Sequence, residues 1–129
     1  MAVREEIRAA GLAQPISHYT DAVRTGELVF VSGCVPVDEN GRLVGGDVVA
    51  QARQTLTNVG RVLAAAGGSF ADVAKVTVYL TDVDDRPRID PVRREFFGDV
   101  RPASTLVEVS RLAIPGARIE IDAIAVLRS

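Results

Sequence analysis

The sequence of 129 residues contains a single cysteine, Cys34, and a single histidine, His18. One cysteine excludes an intramolecular disulfide, and one cysteine with one histidine makes a zinc site of these residue types implausible. We therefore expect neither a metal ion nor a cofactor.

Long hydrophobic runs are also missing, because no apolar stretch approaches the roughly 20 residues that a membrane-spanning helix needs. The first segment, MAVREEIRAAGLAQP, has mixed charge and no apolar centre, unlike a signal or transit peptide. We expect a cytoplasmic protein that does not bind membranes.

Positive charge is not in excess, since 15 Lys and Arg residues stand against 17 Asp and Glu, for a formal net charge of −2. Nucleic-acid binding depends mainly on clustered Lys and Arg that neutralise phosphates, so the charge argues against nucleic acid as a partner. What remains is an ordinary soluble composition, with 47% hydrophobic and 25% charged residues. The length fits a single domain over residues 1–129.

The first third of the chain has the pattern of a β-hairpin. Two extended runs, residues 16–23 and 27–37, are separated by Arg24-Thr25-Gly26, which is typical of a turn. Ser32 and Gly33 interrupt the second run. Glycine inside a strand marks either a bulge or a place where another group approaches the backbone.

The middle of the chain predicts two helices around one strand. Asp47 is placed as an N-cap, and an apolar stripe at steps of three and four follows it as far as Gly67-Gly68. We expect Leu56 and Leu63, which belong to this stripe, to be buried against a sheet. Residues 73–80 alternate as a strand. Asp90-Pro91 then has the pattern of the start of a second helix, which Gly98 ends.

The C-terminal stretch predicts two strands, residues 103–112 and 118–127, with a turn at Pro115-Gly116. In the second strand Glu120 and Asp122 share one face. A carboxylate in so apolar a strand lies at a rim, in a salt bridge or in a pocket, because an isolated buried charge is costly. The resulting order, β-β-α-β-α-β-β, predicts an α+β sandwich with the helices on one face of the sheet.

Four segments carry a resemblance to a known family: SGCVPVDENGRLVGG, QARQTLTNVGRVLAAAGG, PASTLVEVSRL and IEIDAIAV. From about Pro15 to the C-terminus, the chain resembles the RidA/YjgF family of reactive imine and enamine deaminases. The resemblance implies a chorismate-mutase-like fold with a mixed sheet. It also implies a homotrimer, in which three sheets join into a barrel and a small metabolite binds in clefts between subunits.

The resemblance further implies the site residues. Glu120 matches the glutamate that orients the hydrolytic water, and we predict that it is catalytic. Tyr19, Ser32 and Gly33 match residues that bind substrate in the cleft. Tyr19 and Gly33 of one subunit are expected to face Ser104 and Glu120 of another.

The chain departs from the family pattern within this predicted cleft. Ser104 stands where deaminating members have an arginine that holds the substrate carboxylate, Leu106 replaces a common cysteine, and His18 replaces a common proline. Ser104, its neighbour Thr105 and His18 are predicted to bind a substrate for which the cleft has been altered. His18 could supply a donor for the missing guanidinium, or be an ordinary loop residue. Cys34 is expected to be buried and unreactive.

These observations leave three functions open. The first is a hydrolase that deaminates an imine or enamine, acting poorly on simple 2-imino acids because the charge-assisted arginine contact is missing. The second is a non-catalytic trimer that binds or senses a small ligand. The third and weakest is a ribonuclease, a label that some relatives carry and that the charge of this chain does not support.

Overall fold

The computed structural model describes residues 3–128, which form one six-stranded mixed sheet and two α-helices. The strands are β1 (Arg4–Ile7), β2 (Ala22–Thr25), β3 (Leu28–Cys34), β4 (Val73–Leu80), β5 (Ala103–Glu108) and β6 (Ile119–Val126). The helices are α1 (Val48–Ala65) and α2 (Arg86–Phe97). The predicted α+β class, with both helices on one face of the sheet, is confirmed.

The strands lie in the order β1-β2-β3-β6-β4-β5. Strands β4 and β5 are parallel because α2 carries the chain across the sheet between them, whereas β6 pairs with β4 and β3 in the antiparallel sense. Consecutive strands β5 and β6 are therefore not neighbours. The turn at Pro115-Gly116 is present, but it belongs to the loop that passes β4 and does not close a hairpin.

Helix α1 supplies much of the core. It begins after Asp47, whose Oδ1 accepts a hydrogen bond from the backbone N–H of Ala50 at 3.1 Å, as an N-cap does. The helix packs on β3, on β6 and against α2. Leu56 and Leu63 are fully buried on its inner side, so the predicted apolar face of the helix is confirmed.

Several element boundaries differ from the prediction. Strand β3 ends at Cys34 and not at residue 37, and β5 ends at Glu108 and not at residue 112. Residues 4–7 form β1 by pairing with β2, although three of the four are exposed and show no apolar alternation. Only the last two residues of the run 16–23 belong to β2, and the rest is loop. Helix α2 begins at Arg86, so Pro87 lies in its first turn, where a missing N–H is harmless, and Pro91 lies inside the helix and not at its start.

The face of the sheet opposite the helices, which we call the open face, has an apolar end and a polar end. At the apolar end Leu28, Phe30 and Val126 are between 39% and 43% exposed. The polar end carries the side chains of β4 and β6 that alternate with their buried residues. Across residues 3–128, neither helix combines the length and the apolar character needed to cross a membrane.

Candidate functional site

A bulge in β3 places Gly33 beside Glu120. The register between β3 and β6 shifts between Val31 and Cys34, as a glycine-containing bulge requires. An ideal Cβ added at position 33 would lie 2.2 Å from Oε2 of Glu120 and 2.9 Å from its Cδ. Glycine therefore lets the carboxylate of Glu120 rest directly against the backbone of β3.

This contact corrects one prediction. We expected Gly33 to face Glu120 of another subunit, but the two residues meet within one chain, because β3 and β6 are neighbours in the sheet. Both interpretations of the glycine hold at once: the strand is bulged there, and another group approaches its backbone closely.

Glu120 lies half-buried at the polar end of the open face, and Asp122 follows two residues later on the same face of β6. Tyr79 of β4 is the ladder partner of Glu120, and its hydroxyl donates to Oδ2 of Asp122 at 3.0 Å. We call these three residues the carboxylate cluster. Partial burial, and then the negative charge of Asp122, raises the pKa of Glu120 above its usual range.

Glu120 can therefore exchange a proton nearer to neutral pH than an exposed glutamate can. Burial, and then the hydrogen bond to Asp122, raises the pKa of Tyr79, so the phenol keeps its proton. Within residues 3–128, no group of three or more His, Cys, Asp and Glu side chains is arranged to hold a metal ion.

Tyr19, Ser32 and Gly33 line one cleft between the segment before β2, the β3 bulge and α1. We call it the apolar cleft, because most of the side chains around it are apolar: Leu12, Ala13, Ile16, Cys34, Val35, Val37, Val62 and Ile114. The structure thus brings these three predicted residues together. Gly33 belongs both to the cleft wall and to the contact with Glu120.

Hydrogen bonds fix the segment before β2 against the bulge. The hydroxyl of Ser32 donates to the backbone carbonyl of Thr20 at 2.6 Å. Asp21 is buried and accepts from Nη1 of Arg8 at 2.7 Å and from the backbone N–H of Ala9 at 2.9 Å. The cleft wall is therefore held in shape before any ligand arrives.

Cys34 closes the bulge with a buried thiol. Burial, followed by the charges of Asp21, Glu120 and Asp122, raises the pKa of Cys34 to about 12. The thiol is therefore neutral at physiological pH and a poor nucleophile, in agreement with the expected unreactive cysteine.

Thr105 lies on the open face near the carboxylate cluster. Its row of the sheet continues through Thr77 of β4 to Asp122 of β6. The Oγ1 atom of Thr105 accepts a hydrogen bond from Nζ of Lys75 at 2.5 Å. Thr105 is thus the predicted β5 residue that shares a face with Glu120.

Ser104 points to the opposite side of β5. Nη2 of Arg93, on α2, donates to its Oγ at 3.0 Å. Within one chain Ser104 does not meet Glu120, because β4 lies between their strands and the two side chains face different sides of the sheet. Leu106, on the side of Ser104, packs partly against the core, and His18 is exposed in the segment before β2.

Sequence reasoning did not single out Asp122, Tyr79 or Asp21 as part of this region. For Asp122 a signal exists, because it shares the face of Glu120 at a spacing of two residues. Tyr79 can be placed on the polar face of its strand, but its partner cannot, because the pairing of β4 with β6 joins residues far apart in sequence.

Residues 11–127 match the family model described as Endoribonuclease L-PSP. A RutC family protein of Pyrococcus horikoshii is 43% identical over 124 residues, covering 95% of this chain and 98% of that protein. The 2-iminobutanoate/2-iminopropanoate deaminase of Capra hircus is 39% identical over 125 residues, covering 96% of this chain and 90% of that protein. The crystal structure of the YjgF gene product of E. coli is similar with a TM-score of 0.89 and 36% identity, covering 96% of this chain and 99% of that chain.

Proposed function

This chain belongs to the Endoribonuclease L-PSP family, and we propose that it hydrolyses a small imine or enamine to a carbonyl compound and ammonia. The resemblance to the RidA/YjgF proteins found in the sequence is confirmed. The observation that carries the proposal is the half-buried carboxyl of Glu120, held against the backbone of Gly33. Imine hydrolysis needs a positioned carboxyl group that can take a proton from water and return it.

Glu120 acts first as a base. Its carboxylate accepts a proton from water as the water oxygen bonds to the imine carbon, and the C=N electron pair moves to nitrogen. The carboxylic acid returns that proton to nitrogen, and the proton of the new hydroxyl follows as the C=O bond forms and ammonia leaves. An enamine joins this sequence after it tautomerises to the imine, in which its carbon gains a proton and its nitrogen loses one. One water is consumed for each ammonia released.

The raised pKa of Glu120 suits this exchange. An ordinary glutamate, with a pKa of about 4.3, is a weak base near neutral pH. Desolvation makes the carboxylate of Glu120 a stronger proton acceptor. A pKa closer to the working pH lets one carboxyl group both accept the proton from water and return it to nitrogen.

The substrate pocket differs from the arginine-containing type in this proposal. Ser104 offers a single hydroxyl, which already accepts a hydrogen bond from Arg93, and it cannot make the two-pronged contact that a guanidinium makes with a carboxylate. The apolar cleft beside Gly33 suits an apolar portion of the substrate. Poor turnover of the 2-imino acids derived from serine or leucine follows from this arrangement.

The proposal includes a homotrimer with a small metabolite as its ligand. The exposed Leu28, Phe30 and Val126 on the open face, together with the outer edge of β5, are features that favour association between chains. Association through the open face would also enclose the carboxylate cluster and shield Glu120 from bulk solvent. Light scattering at micromolar concentration should give the mass of three chains, and a monomer would contradict this part of the proposal.

The experiment that tests the function measures ammonia release from a panel of imines, some with a carboxylate next to the imine carbon and some without. We expect acceleration over the spontaneous rate, greater for the imines that lack the carboxylate. Glu5→Gln makes the same change of charge as Glu120→Gln, but at an exposed position on β1, and it is the control. A bound metabolite without turnover would favour the ligand-binding alternative. RNA cleavage that survives rigorous removal of contaminants would favour the ribonuclease.

A further inference from the structure

Glu120 and Asp122 are two carboxyls on one face of β6 whose surroundings differ. Two residues apart in a strand, their Cα atoms are separated by roughly 6.5 Å. The carboxylate of Asp122 accepts a hydrogen bond from the Tyr79 hydroxyl at 3.0 Å. Glu120 is half-buried and lies against Gly33. Burial, and then the charge of Asp122, raises the pKa of Glu120.

Such a difference divides the work of a carboxyl pair. A hydrogen bond to the charged form holds one carboxyl ionised, and its negative charge then favours protonation of the neighbour. In this protein the Tyr79 hydroxyl donates its hydrogen bond to Asp122, while packing against β3 confines the Glu120 side chain. The two carboxyls are therefore not equivalent.

We propose that Asp122, held in place by the hydroxyl of Tyr79, is a positioning residue that makes Glu120 the carboxyl of the pair that accepts the proton from water. This inference rests on the proposed function, because it assigns a role within the same reaction. It adds Asp122 and Tyr79 to the machinery, although neither belongs to the predicted ligand-binding set.

The other groups around Glu120 do not supply a negative charge like that of Asp122. On the β3 side lie the uncharged Gly33 and the neutral thiol of Cys34. On the β4 side lies the protonated phenol of Tyr79, and Lys75, further along the strand, is engaged with Thr105. Asp122 is the charge that acts on the pKa of Glu120.

The test is a carbon-13 NMR titration of the Glu120 carboxyl, assigned with Glu120→Gln and measured without substrate. We expect Asp122→Asn to move the Glu120 midpoint to lower pH. Tyr79→Phe should move it the same way by a smaller amount, because Asp122 keeps its charge but loses its fixed position. Glu5→Gln, the control of equal charge on β1, should leave it in place. The acid limb of the pH profile of kcat/KM should shift in parallel.

An unchanged midpoint in Asp122→Asn, or a shift equal to that of Glu5→Gln, would overturn the inference. If Asp122→Asn fails to fold, Tyr79→Phe carries the test, because phenylalanine keeps the ring and removes only the hydroxyl. The titration separates the two proposals. A shifted midpoint in a protein without turnover would overturn the proposed function and leave the carboxyl pairing standing, whereas turnover with an unmoved midpoint would overturn the role of Asp122 alone.

Discussion

Replacing Gly33 with alanine should displace the carboxylate of Glu120 while leaving the fold intact. The added Cβ would lie 2.2 Å from Oε2, 2.9 Å from Cδ and 3.2 Å from Cγ of Glu120, whereas ordinary contacts begin at 3.4 Å. The carboxylate must therefore retreat by roughly 1 Å, and misplacement on this scale costs on the order of 100-fold in rate. We expect a loss of about that size in kcat/KM.

Stability should change little in Gly33→Ala. The atoms in the way are the end of a flexible side chain, and Gly33 does not have a positive φ. A strained rotamer of Glu120 costs about 0.5–1.5 kcal/mol. Alanine recovers about 0.4–1 kcal/mol by restricting the unfolded chain. The unfolding free energy should therefore stay within about 1 kcal/mol of the wild-type value.

The assay compares ammonia release and urea unfolding in Gly33→Ala and in Gly45→Ala. Gly45 is the matched control, because an added Cβ there meets nothing within 4 Å and the backbone does not have a positive φ. Wild-type activity in Gly33→Ala would refute the reasoning. An equal loss in both variants would refute it as well, since the effect would then not depend on Glu120.

Further changes test other parts of the account. Leu56→Ala should lower the unfolding free energy by about 2–5 kcal/mol in urea titrations, because the side chain is fully buried, and a change of a few tenths would contradict its place in the core. Ser104→Arg should raise turnover of 2-imino acids by about tenfold or more, since one charge-assisted hydrogen bond contributes about 1.5–3 kcal/mol. Adding Arg93→Ala to this variant removes the positive charge of Arg93, whose Nη2 lies 3.0 Å from Oγ of Ser104. No gain in the single or the double variant would favour the ligand-binding alternative. Cys34 should stay unreactive towards a thiol reagent at pH 8 until the chain is unfolded, because burial raises its pKa to about 12, and fast labelling of the folded protein would contradict this. The kcat/KM of the wild type should fall as the pH drops through the raised pKa of Glu120, because only the carboxylate accepts a proton, and a flat profile would count against Glu120 as the base.

Local patterns predict much of this fold because they depend on neighbouring residues. The apolar stripe through Leu56 and Leu63 identifies the buried face of α1, and the alternation of β6 places Glu120 and Asp122 on one face. The bulge at Gly33 is visible as a glycine inside a strand. Each of these features follows from the period of one element.

The arrangement of strands could not be predicted in the same way. Strands β5 and β6 are consecutive in the chain, yet β4 lies between them, because pairing across a sheet is decided by contacts between distant segments. The side of the sheet that Ser104 faces depends on its register with β4, and a shift of one residue would reverse it. The same non-local pairing brings Tyr79 to Asp122 and Gly33 to Glu120.

The central claim, that Glu120 is the proton acceptor of an imine hydrolase, is tested most directly by comparing ammonia release from one imine by the wild type and by Glu120→Gln. We predict that the wild type exceeds the spontaneous rate and that Glu120→Gln returns to it, because an amide cannot take a proton from water. The variant should unfold no more easily at neutral pH. A carboxyl with a raised pKa stabilises the folded state only while it is protonated, and that contribution is lost as the pH rises through the raised value, so glutamine removes an unfavourable charge. Equal acceleration by both proteins, or none by the wild type on any imine, would contradict the claim.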